Sequence, residues 1–282
     1  MEILILLALL ICCPDSKTRV HADSIKITYV GNEGFIIDAG ESKVLVDALY
    51  GSGVAGYVPN SPSRRRKLEK GMPPFDHIDV ALATHYHADH FDPSVVGMHL
   101  ANNRSTSFVS TRQAVEQLED EFEGSKLIRD RVIGVLPAEG RRDTMVFDGI
   151  TVVAVNLHHG RSRPVDNLGF IIDIGGVRLF HVGDTEVTPE ELAALNLDTL
   201  GIDVFMLPYW FLAYSEWDGY LESRIGASVL VPMHIPPPSD PKGYLADIGG
   251  YDGMKERILA KYSTAVFFES EMTSMWVSPP AP

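Results

Sequence analysis

Three histidines and an aspartate fall within six residues, His85-Tyr86-His87-Ala88-Asp89-His90, directly after the run Val80-Ala81-Leu82-Ala83-Thr84. A short apolar run of this kind reads as a buried strand. The chain therefore has to turn at the strand's end with several metal-ligating side chains gathered in one place. Neutral imidazole and carboxylate are the ligands that zinc and similar divalent ions take. One histidine alone usually means a core or surface residue with a satisfied hydrogen bond, and the chain has ten. Four ligand-type residues in one turn form a different pattern: His85 and His87 can face one ion, leaving Asp89 and His90 for a second beside it.

Further ligand-type residues stand at the ends of later apolar segments. His158 and His159 follow Val152 to Val155, Asp184 lies in His181-Val182-Gly183-Asp184-Thr185, and His234 ends Val229-Leu230-Val231-Pro232-Met233. With the signature His85-x-His87-x-Asp89-His90, this ordered set resembles the metallo-β-lactamase superfamily of metal-dependent hydrolases, from the N-terminal strands to about residue 235. The resemblance implies an α/β fold, an αββα sandwich of two mixed β-sheets flanked by helices, with the ligands at one edge. It also implies that His85, His87 and a third histidine hold one ion, that Asp89, His90 and His234 hold another, and that Asp184 bridges them. Asp89 and Asp184 are then the carboxylates closest to the chemistry. His158 and His159 both stand for the third histidine, because neighbours on a strand point to opposite faces. The place just before Gly160 favours His159. Asp47, ending Lys43-Val44-Leu45-Val46, reads either as a carboxylate that orients a ligating imidazole or as an ordinary turn residue.

Two divalent ions of this kind can hold a hydroxide at neutral pH and polarise an acyl or phosphoryl oxygen. Zinc is the default, and an all-nitrogen and oxygen ligand set also suits manganese or iron. The resemblance thus implies a hydrolase acting on a phosphodiester or a lactone or ester. A β-lactamase-like amide hydrolase and a non-catalytic metal- or ligand-binding protein are the alternatives. Against β-lactamase chemistry stands the cysteine count: the only two, Cys12 and Cys13, lie in the apolar run Ile3 to Cys13. The wording around Asp184 and His234 is most similar to the branch with ascorbate-phosphate lactonases and N-acyl phosphatidylethanolamine-hydrolysing phospholipase D.

That N-terminal run is too short to span a bilayer as a helix, and Val20-His21-Ala22 supplies a small-residue cleavage site. Residues 1–22 read as a signal peptide and 23–282 as one hydrolase domain, periplasmic or secreted, without a stable membrane span. A length of 282 residues with 45% hydrophobic residues accommodates one large core. The net charge of −14 argues against nucleic-acid partners, which demand basic faces. A small-molecule substrate is expected, an anionic one if the basic run Arg64-Arg65-Arg66-Lys67 gathers it.

Alternation predicts strands at Ile25–Val30, Gly34–Asp38, Lys43–Asp47, Thr144–Phe147, Thr151–Val155, Leu168–Ile174, Val177–Val182, Val204–Leu207, Val229–Met233 and Ala265–Phe268. Helices are predicted after Asp92-Pro93, over Thr111 to Phe122, after Thr188-Pro189, near Trp217–Ile225 and near Met254–Tyr262. Two features bear on substrate. Arg64-Arg65-Arg66-Lys67, in the irregular stretch 51–76, is either an anion-gathering lid over the metals or a solvated loop or short helix. Tyr209-Trp210-Phe211, followed by Tyr214, Trp217 and Tyr220, is either an aromatic wall for an apolar substrate portion or helix packing.

Overall fold

The computed structural model describes residues 24–162, 164–221 and 226–280. The expected signal segment and residues 222–225 of the helix expected near Trp217–Ile225 lie outside the described residues. Six strands, β1 (Ile25–Gly31), β2 (Gly34–Asp38), β3 (Lys43–Val46), β4 (Val80–Leu82), β5 (Ser107–Thr111) and β6 (Val132–Val135), form one sheet with the late strand β13 (Ser274–Val277). Its order is β13-β1-β2-β3-β4-β5-β6, antiparallel as far as β3 and parallel beyond. The other sheet holds β7 (Arg142–Phe147), β8 (Ile150–Asn156), β9 (Leu168–Ile174), β10 (Val177–His181), β11 (Val204–Pro208) and β12 (Val229–Met233), side by side in that order. Here β10, β11 and β12 run parallel and the others pair antiparallel.

Side-chain alternation decides which layer each residue serves. Phe35, Ile37, Val44, Val46, Val80 and Leu82 enter the core shared with the second sheet, where they meet residues such as Val152, Phe170 and Leu179. Their neighbours Ile36, Leu45 and Ala81 point the other way, under helices. Both faces are buried, which is why β3 and β4 read as continuous apolar runs. The covering helices are α1 (Pro62–Lys70), α2 (Pro93–Asn102) and α3 (Arg112–Glu121), which supply Leu68, Val95, Val96, Leu100, Ala114 and Leu118. Ser61, Asp92 and Thr111 cap them through their side chains, and Pro62 and Pro93 occupy first-turn positions where a missing amide is harmless. The helices Pro189–Ala193 and Gly250–Lys261 add Leu192, Met254 and Ile258 to the larger core. The result is the expected αββα sandwich. No helix among the described residues is long and apolar enough to cross a membrane.

One strand is misplaced in the sequence reading. Ala265–Phe268 makes only a bridge from Ala265 to Leu230, and the strand of this region is β13, paired with β1. Phe268 instead stacks its ring on Tyr29 at 5.7 Å, so its apolarity serves packing rather than a ladder. The pattern of β13 is weak because it is a short edge strand with Trp276 left 66% exposed.

His99 on α2 is fully buried, and its Nδ1 donates to the Leu68 carbonyl at 2.6 Å. Burial pushes its pKa down from 6.5 to about 4. The unfolded chain therefore takes up this proton first, so the stabilisation is complete above 6.5 and drains away as pH falls towards 4. Between pH 7.5 and 5 this group alone should cost about 2 kcal/mol. Denaturant unfolding of metal-free wild type and His99→Gln at both pH values is expected to show a smaller acid loss in the variant.

Candidate metal centre

Strand direction brings the predicted ligands to one edge. Because β3 and β4 are parallel, Asp47 and the His85–His90 turn leave the first sheet at the same end, and the β1–β2 turn joins them there. In the second sheet β8, β10 and β12 share one direction, so His159, Asp184 and His234 all follow strand C-termini at a common edge. The two edges are tied directly: Leu168 N donates to the Thr84 carbonyl at 2.9 Å. Asn167 donates its side-chain amide to the carbonyls of Leu157 and Val182, linking the turns that carry His159 and Asp184. Gly183 adopts φ +64°, and a Cβ there would sit 2.7 Å from that of Thr84. Only glycine allows that approach.

The predicted ligands fall into two groups. Ligand atoms of His85, His87, His159 and Asp184 lie within 4.8 Å of one another, and so do those of Asp89, His90 and His234. Asp184 stands between them, with Oδ2 2.9 Å from His159 Nε2 and 3.5 Å from His234 Nε2. His234 Nε2 is 3.6 Å from Asp89 Oδ2. His158 turns away: its Nε2 meets Glu191 Oε2 at 3.0 Å, inside the capping box of the helix Pro189–Ala193. Of the adjacent pair, His159 is the one brought to the site.

Asp47 organises both groups from behind. It accepts from Thr84 N at 2.7 Å, from Thr84 Oγ1 at 2.7 Å and from His90 Nδ1 at 2.9 Å. With its own proton given to Asp47, Thr84 Oγ1 accepts from His85 Nδ1 at 3.1 Å. Both imidazoles are thereby fixed with Nε2 facing the cleft. Asp47 holds φ +44° and His234 φ +56°, left-handed backbone at the two turns that deliver this geometry.

Charge follows from burial and crowding. Burial, with His90 and His87 beside it, keeps His85 well below its ordinary pKa and so neutral. Burial works against a proton on His90 and His234, but nearby carboxylates outweigh it, Asp89 and Asp47 for the first and chiefly Asp184 for the second, raising them to about 10 and about 9. Protons and cations thus compete for this side of the cleft. His85, His90 and His234 Nε2 and His159 Nδ1 are buried without hydrogen-bond partners, and His159 Nε2 faces Asp184. Leaving such atoms unsatisfied costs about 1 to 3 kcal/mol each, whereas lone pairs converging with two carboxylates suit divalent cations.

The Beta-lactamase superfamily domain model matches residues 42–235, more than two thirds of the chain, from the start of β3 to just past His234. The chain belongs to the β-lactamase superfamily. A UPF0173 metal-dependent hydrolase of Symbiobacterium thermophilum is 27% identical over 217 residues, covering 74% of this chain and 84% of that relative. The crystal structure of a possible metal-dependent hydrolase from Veillonella parvula superposes with a TM-score of 0.60 at 15% identity, covering 89% of this chain and 99% of the other. The metallo-β-lactamase fold protein YhfI from Bacillus subtilis gives 0.56 at 16%, covering 90% and 100%. The chain is a metal-dependent hydrolase of this superfamily, with no substrate assigned by these likenesses.

Several functional-edge residues of this superfamily member have no sequence signal. Glu33, in the β1–β2 turn, is fully buried with both carboxylate oxygens unpartnered, 3.5 Å from His90 Nδ1. Burial raises it to about 8. It reads as an ordinary turn glutamate, and only the folded turn brings it behind the cleft. The basic run, in contrast, is helix α1 rather than a lid. Arg64 binds Asn60 and pairs with Glu271, and Arg65 pairs with Glu69. The aromatic segment divides: Phe211 and Trp217 are core, while half-buried Trp210 lies 5.3 Å from the His234 ring.

Proposed function

We propose that this hydrolase uses two divalent ions, zinc by default, to cleave a phosphodiester or a lactone or ester bond. The observation that carries the reading is Asp184 Oδ2 standing between His159 and His234, a carboxylate between two sets of imidazoles. His85, His87 and His159 would hold one ion and Asp89, His90 and His234 the other, with Asp184 common to both. Ions so held would supply the Lewis acidity for activating water and polarising an acyl or phosphoryl oxygen. The chain's own contribution is positioning. Asp47 and Thr84 lock the His85 and His90 rings, and neighbouring imidazoles outweigh burial to hold Asp89 and Asp184 far below the usual carboxylate range, acting as acceptors at any working pH. No cysteine lies among the described residues, so the donor set is nitrogen and oxygen throughout.

Metal-depleted protein reloaded with zinc, manganese or iron(II) and assayed against phosphodiesters, lactones, esters and β-lactams tests this. Metal-restored turnover of a phosphodiester, lactone or ester is expected, with β-lactam turnover weak or absent. Efficient β-lactam hydrolysis with none of the others would reverse the assignment.

A further inference from the structure

The loop that reaches over the metal centre is aromatic. Tyr57, between β3 and α1, places its ring 4.3 Å from that of His234, edge to face. It stacks on Tyr244 at 5.8 Å, and Trp210 approaches His234 at 5.3 Å with Tyr209 against its other neighbour side at 5.4 Å. Large aromatic rings are normally drawn into the core, as Phe35, Phe170 and Phe205 are here. Tyr57 and Trp210 are only half-buried and Tyr244 is 42% exposed, so ring surface is left at the mouth of the site.

This collar is held in place rather than draped. Asn32 accepts from Val58 N at 3.0 Å and donates to Val58 O at 3.2 Å, pinning the residue next to Tyr57. The same Asn32 donates to the Asp89 carbonyl at 3.4 Å, and its own carbonyl accepts from His234 N at 3.2 Å. One residue thus ties the aromatic loop to two members of the metal cleft. Gly56, at φ +111°, passes so close to Tyr244 that a Cβ would lie 2.8 Å from its ring. Asp240 anchors the far side by accepting from Tyr244 N at 2.9 Å. Asp247 and Asp240 stand towards Tyr209, and the Lys242 stem lies beside Gly56.

We infer that Tyr57, Trp210 and Tyr244 form the subsite for the non-reacting part of the substrate, and that this part is planar and apolar, an aryl group in the simplest case. Ring faces and edges offer stacking to such a group. The inference rests on the hydrolase reading for the bond cleaved, but the subsite itself does not need turnover to be seen.

Two measurements on the metal-loaded protein test it. Titration with 2-naphthol should quench tryptophan fluorescence saturably, and Trp210→Ala should raise the half-saturating concentration roughly tenfold, with Trp217, linked to Trp210 through Phe211, still reporting. In kinetics, the ratio of kcat/KM for 2-naphthyl acetate to that for ethyl acetate should fall roughly tenfold in Tyr57→Ala. Tyr57→Phe should keep the wild-type ratio, because the ring and not the hydroxyl is used, and the metal content of each variant should match wild type. Half-saturation unchanged in Trp210→Ala, or a Tyr57→Ala protein in which both esters lose rate in parallel, would overturn the assignment. Should the wild type hydrolyse neither ester, the ester reading of the active site fails, and the naphthol titration decides the subsite alone.

Discussion

Replacing His159 by alanine is expected to strip metal from the protein and lower kcat/KM by more than about 100-fold, beyond the range seen when only an outer partner of a ligand is lost. The ring stands 2.9 Å from Asp184 and makes close edge contacts with His85 and His87, at centroid distances of 4.9 and 4.8 Å. Its removal leaves one donor set short of an imidazole and Asp184 short of a neighbour. His158→Ala touches none of this. It removes a hydrogen bond to Glu191 near a helix start, worth about 1 kcal/mol of stability, and should leave metal content intact. Metal analysis and steady-state kinetics on the two variants check the contrast, and the opposite ranking would transfer the ligand role to His158.

Asp47 should show a second large effect, divided between folding and metal binding. Alanine at this position leaves Thr84 N, Thr84 Oγ1 and His90 Nδ1 buried without their acceptor, a loss expected to cost about 3 to 5 kcal/mol. Asp47→Asn keeps the shape but removes the charge and sets an amide against the His90 donor. That variant should fold and bind zinc about 10 to 100-fold more weakly. Thermal unfolding of the first and competitive zinc titration of the second separate the two contributions. Wild-type zinc affinity in a folded Asp47→Asn protein would reduce Asp47 to a turn residue.

How much of this was legible beforehand depended on whether the signal was local. His85 to His90 could be read because four donors and the strand that delivers them are contiguous, and His159, Asp184 and His234 because each ends an apolar run. The inner strands were equally plain, since burial on both faces makes them continuous in apolarity. The choice between His158 and His159 was not settled by the residues, because it depends on the turn after β8 and on Glu191 more than thirty positions away. Glu33, Asn32 and Asn167 carry no pattern at all: each is a polar turn residue whose role exists only once two sheet edges meet. Arg64 to Lys67 left two readings open, and the structure takes the short helix. A basic run suggests an anion site, yet the carboxylates that occupy Arg64 and Arg65 come from Glu271, far away in sequence, and from Glu69 one helical turn on. The residue this stretch does place over the cleft is Tyr57, one tyrosine among ten.

The central claim is that seven side chains make one centre for two ions with Asp184 in common. Metal analysis of protein saturated with zinc and freed of excess tests it most directly, with Asp184→Ala measured in parallel. Two zinc ions are expected per wild-type chain and fewer than two, with activity lost, in the variant. One ion per fully active wild-type chain, or two retained without Asp184, would contradict it.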